Sequence, residues 1–165
     1  MRALSRGFTL VELIVVMLLV AVIGAVATTR WSASDATAPY QAYALARDLE
    51  HMQMLAMSWD QSLRLSVPAG GNSYSIVCSS GSATAPCAGA GAITNPATSA
   101  AYSVTLQDGV TLPGPASVDI DHLGHPVSSA GALLNADQVF VLTGGGQTWS
   151  VRLKPVTGFV AVTTP

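Results

Sequence analysis

From Phe8 to Ala27 the chain runs for 20 residues with a single charge, "FTLVELIVVMLLVAVIGAVA". A helix of that length rises roughly 30 Å, about the hydrocarbon thickness of a bilayer. An apolar surface on every side suits lipid or a bundle of helices, not one face of a soluble core. The segment therefore stands apart from whatever the rest of the chain folds into. "MRALSRG" before it carries Arg2 and Arg6 and no acid, which favours a cytoplasmic N-terminus. Arg30 and Trp31 supply an interfacial end. "AVA" at Ala25–Ala27 also fits a small-x-small signal-peptidase site.

Neither a signal peptide nor a plain anchor accounts for the one charge, Glu12. An acid inside a span costs on the order of 3 kcal/mol, less near an interface, and calls for a partner. A cut between Gly7 and Phe8 would create one, because the new amino group of Phe8 lies four residues from Glu12. Within one chain the carboxylate also favours the positive end of the helix dipole. Between chains, Glu12 of one subunit neutralising Phe8 of the next would set the register of neighbouring helices.

"GFTLVEL" (Gly7–Leu13), followed by the long apolar run, resembles the class III signal of type IV prepilins and type II secretion pseudopilins. The resemblance implies cleavage after Gly7 by a prepilin peptidase, N-methylation of Phe8 and an assembly role for Glu12. It implies an inner-membrane protein with one span and a periplasmic domain, which then joins other pilin or pseudopilin subunits in a pilus or pseudopilus. The expected organisation is a leader (1–7), a transmembrane and assembly helix (8–30), an amphipathic continuation (31–61) and a β-rich exported domain (62–165).

"SASDATAP" (Ser32–Pro39) is a point where the helix breaks or kinks, with Asp35 or Thr37 as a cap and Pro39 in the first turn of a second run. In that run Leu45, Leu49, Met52, Ala56 and Trp59 recur at helical spacing, a stripe that reads as core contact. Past Ser62 the period becomes two. "SLRLSVP" and "SYSIVCS" alternate around "AGGN", a hairpin pattern. "YSVTL", "VTLP", "SVDIDHL", "DQVFVLTG", "TWSVRLKP" and "GFVAVTT" are further short strand candidates between Gly, Pro and Asn. The fold class is α+β: a long N-terminal hydrophobic helix, then an antiparallel, pilin-like β domain. Ser79–Ala101, with Ile93 its one large apolar side chain, reads as a long, partly mobile surface loop. Cys78 and Cys87 bracket its first part. In an exported domain a bridge between them is preferred to two free thiols.

The order of "ARDLEHMQMLAMS", "DIDHLGHP" and "VRLKPVTGFVAV" resembles the minor subunits around the H-type pseudopilins, the FimT-type minor pilins and those of mannose-sensitive haemagglutinin pili. His125 and Phe159 stand where arginine and tyrosine are common in that group. The resemblance implies a minor subunit acting in assembly or at a tip.

Other chemistry finds little footing. Asp119, Asp121, His122 and His125 lie close in sequence, but no further cluster would close a metal shell, so no metal or other cofactor is expected. Gly144–Gly146 lacks the Gly-Lys-Ser/Thr and following helix of a phosphate loop. No nucleophile elbow marks a hydrolase, so no enzyme is expected. Only 10% of residues are charged, and beyond residue 61 the cations are Arg64, Arg152 and Lys154. A nucleic-acid partner is therefore not supported, although a pilin-like DNA-uptake receptor, built on Arg152 and Lys154, is one rival reading. An ordinary exported globular domain released after Ala27 is the other.

Overall fold

The computed structural model describes residues 10–28, 33–79, 86–87, 91–96, 98–114 and 116–164. The chain forms two compact units, residues 1–32 and 33–165.

The first unit holds helix α1 (Leu10–Thr28), 19 residues with Glu12 in the first turn. Its large apolar side chains from Leu10 to Ile23 are all more than half exposed. The side chains described end at Gly24, and among the described residues no helix is long and apolar enough to cross a membrane.

The second unit is built on helix α2 (Ala33–Trp59). It starts earlier than the capping pattern implies. Pro39 lies inside the helix, past its first turn, at the loss of one backbone bond. Thr37 is not a cap: its hydroxyl donates to Asp108 Oδ2 at 2.7 Å, a tertiary contact that local sequence does not reveal. The helix stops at Asp60, which takes a left-handed φ of 54°, while Gln61 N–H returns to Ala56 C=O at 3.1 Å. Aspartate tolerates that conformation better than most residues.

Among the described residues eight strands follow: β1 (Leu63–Val67), β2 (Ser73–Cys78), β3 (Ser103–Thr105), β4 (Ala116–Ile120), β5 (Pro126–Val127), β6 (Gln138–Gly144), β7 (Gln147–Leu153) and β8 (Val160–Thr163). They form a five-stranded sheet, β3-β2-β1-β4-β5, and a three-stranded sheet, β6-β7-β8. Every pairing is antiparallel. The period-two pattern sets the register: Leu63, Leu65 and Val67 face inward beside Tyr74, Ile76 and Cys78. Helix α2 lies against both sheets and buries Leu45, Leu49, Met52 and Ala56 completely.

One strand expectation fails. "VTLP" is no strand; Thr111 makes an isolated bridge with Thr143, two bonds of 2.8 Å that tie the β3–β4 connection to β6. The described part of Ser79–Ala101 is mostly exposed, with a buried anchor. Ile93 is 2% exposed, and its carbonyl accepts from Tyr102 N–H at 2.8 Å. One large apolar side chain with a ready pocket suffices to pin a segment that is otherwise polar and small.

Candidate assembly site

Glu12 sits in the first turn of α1, where a carboxylate faces the positive end of the helix dipole. Gly7 and Phe8, the expected cleavage and methylation positions, lie outside the described residues.

In the second unit, the two short turns that carry the subgroup resemblance meet at one side chain. Gln53 Nε2 donates to Gly158 C=O at 2.6 Å and to Gly124 C=O at 3.4 Å. Both glycines have positive φ, 66° and 85°. A Cβ on Gly158 would collide with the Gln53 amide and approach Gly124 O to 2.8 Å. A Cβ on Gly124 would approach Met57 Sδ to 3.0 Å. Gln53 is thus the clasp between α2, the turn after β4 and the turn before β8. In sequence it is only a polar residue off the core stripe; nothing local distinguishes it.

The "DIDHLGHP" residues do not converge on a metal. Asp119, 3% exposed, accepts from Arg64 Nε at 2.6 Å, Arg64 Nη2 at 2.8 Å and Ser79 Oγ at 2.7 Å. The bidentate bond to Asp119 raises the Arg64 pKa further, against a smaller opposing effect of burial. Asp121 Oδ1 accepts from the backbone N–H groups of Leu123 and His125 at 3.0 and 2.8 Å, an Asx-type turn. His125 Nδ1 lies 3.5 Å from its other oxygen, and His122 is exposed. Each carboxylate is committed to holding backbone or arginine. Among the described residues no group of three His, Cys, Asp or Glu side chains is placed to hold a metal ion.

A second, half-buried carboxylate fastens the helix to the sheet. Asp48 accepts from Tyr74 OH at 2.7 Å and Tyr102 OH at 3.0 Å. Burial, then the neighbouring Asp48, pushes both phenol pKa values well above the usual tyrosine range. A disulfide joins Cys78 at the end of β2 to Cys87, Cα atoms 5.6 Å apart. The two cations of the DNA-receptor reading share one acid: Asp137 Oδ2 lies 2.9 Å from Lys154 Nζ and 4.0 Å from Arg152 Nη1. That carboxylate offsets half of the positive charge a phosphate would meet.

Residues 2–28 match the family model for the prokaryotic N-terminal methylation motif. That span contains Gly7, Phe8 and Glu12. No curated protein matches the sequence. Among solved structures, the chain is similar to the minor pseudopilin EpsH of the type 2 secretion system of Vibrio cholerae. One structure of it gives a TM-score of 0.56 at 14% identity, covering 78% of this chain and 98% of that one. A second gives 0.55 at 15% identity, with 81% and 97% covered. The chain thus carries an N-terminal methylation motif ahead of a domain whose fold is similar to that of a minor pseudopilin.

Proposed function

We propose that the protein is a minor pilin or pseudopilin subunit that acts in the assembly or at the tip of a type IV pilus or type II secretion pseudopilus. One observation carries this reading: residues 2–28, which contain Gly7, Phe8 and Glu12, match the methylation motif and lead into a domain similar in fold to a minor pseudopilin. A prepilin peptidase cuts after Gly7 and methylates the Phe8 amine. The processed chain stays in the inner membrane through its N-terminal helix, with the β domain in the periplasm, until it joins other subunits. Apolar area on α1 passes from lipid to neighbouring helices and is never exposed to water, so extraction needs little hydrophobic free energy. Glu12 paired with a neighbour's Phe8 amine sets the axial offset. The role is structural, with no catalysis and no cofactor.

The test is intact mass and N-terminal sequencing of the protein from membranes of its own host. An N-methylated Phe8 is expected. A start at Thr28, or an uncut Met1, would overturn the reading. Glu12→Gln is expected to leave processing intact while lowering recovery of the protein in sheared fibres.

A further inference from the structure

The two sheets end in four edge strands, β3, β5, β6 and β8. β3 and β5 are three and two residues long, and β6 is met at Thr143 by Thr111. β8 differs. Its four residues carry no charge and no proline, and among the described residues no other segment bridges to them. Proteins ordinarily blunt such an edge, because its unpaired backbone groups recruit further chain. The β7–β8 ladder shows which groups those are. Lys154 N–H donates to Phe159 C=O at 2.9 Å. Bonded pairs recur at every second residue of an antiparallel ladder, so Arg152–Ala161 and Ser150–Thr163 come next. Val160 and Val162 therefore turn N–H and C=O away from β7, toward the free edge. That edge opens into a groove of about 460 Å³ between β8 and α2, where Tyr40, Tyr43, Ala44 and Ala46 join Val160 and Val162 in the lining. Tyr43 packs on Trp149 of β7, ring centroids 6.3 Å apart, which fixes that wall.

We propose that β8 accepts an extended strand of a partner polypeptide, which continues the β6-β7-β8 sheet and buries small apolar side chains in the groove. The edge itself specifies this occupant. Its donors and acceptors repeat every two residues, roughly 7 Å. An extended backbone matches that repeat; a helix, with its backbone groups already paired, does not. Partner side chains in line with Val160 and Val162 enter the groove, and those between them lie beside Ala161 and Thr163. Ladder bonds then supply affinity, and the apolar groove selects the alternate residues. A second copy fits less well. Pairing β8 with a copy's β8 places a two-fold axis normal to the sheet, and this reverses α2, which lies along that sheet. Subunits leaving one membrane share one polarity, and this exclusion alone rests on the proposed fibre role. Pairing β8 with a copy's β6 is stopped at Thr143 by the Thr111 bridge.

The experiment uses the full chain in a mild nonionic detergent, with amide exchange read residue by residue by NMR. The probe is an acetylated and amidated peptide of alternating valine and threonine, about six residues long, the usual length of a strand. In the free protein the Val162 amide is expected to exchange about tenfold faster than those of Ala161 and Thr163. Excess peptide is expected to slow Val162 about tenfold. The same peptide N-methylated at every residue cannot donate and is expected to give no protection. Val162→Pro is expected to keep a native far-UV spectrum, since that N–H bonds nothing in β7, and to abolish protection of the Val160 amide. Slow exchange at Val162 in the free protein, no protection by the plain peptide, or equal protection by the methylated one would overturn the inference. So would protection that rises with protein concentration in the absence of peptide, the mark of a β8–β8 dimer. Mass analysis of Phe8 on the same sample tests the fibre role separately, because peptide protection is expected whether or not Phe8 is methylated.

Discussion

Asp119 shows how much depends on single side chains here. Its carboxylate is 5% exposed and is held by Arg64 and Ser79. Arg64→Ala would leave a buried charge with one hydroxyl donor, and the expected loss is about 3 kcal/mol in urea unfolding. Gln53→Ala is expected to cost about 1–2 kcal/mol, since it frees two turn carbonyls together. Val156 has the opposite sign. It is β-branched, 53% exposed and held at φ 66° in the turn before β8. Val156→Asn is expected to raise stability by about 1 kcal/mol, because asparagine tolerates the left-handed region that valine resists. Asp119 and Asp121 are visible in the sequence as an acidic cluster. That they serve an arginine and an Asx turn is not, because their partners, Arg64 and Ser79 among them, come from elsewhere in the chain.

At the scale of elements, two fastenings hold the helix and the β2–β3 region. The disulfide closes a short loop from Cys78 to Cys87, a separation of 9 residues. Replacing both cysteines with serine is expected to cost about 2–3 kcal/mol and leave the far-UV spectrum native-like. The Asp48 clasp adds a pH signature. Tyr74 and Tyr102 have pKa values raised by folding, so above about pH 10 the unfolded chain gives up phenolic protons that the native state keeps. Stability is therefore complete below pH 10 and falls as pH rises beyond it. Tyr102→Phe is expected to make that alkaline fall shallower in unfolding titrations across the range. Alternation in "SLRLSVP" and "SYSIVCS" made β1 and β2 legible, since a buried face imposes period two. β5, two residues long, carries no period at all, and "VTLP" has the composition of a strand but found only one bridging partner.

For the whole molecule, the apolar N-terminal run and the spacing Gly7, Phe8, Glu12 point to the methylation motif before any fold is known. Hydrophobic length and one misplaced charge are local properties, and they survive translation into any tertiary context. The α+β class follows from the same kind of evidence, the change from helical period to alternation near Ser62. Sequence alone determined those features, together with the core stripe of α2. Only the tertiary structure decided that Gln53 clasps two turns and that Asp48 takes two tyrosines. These depend on residues 26 to 105 positions apart brought within hydrogen-bond reach. Chain folding sets such distances, and no window of local sequence contains them.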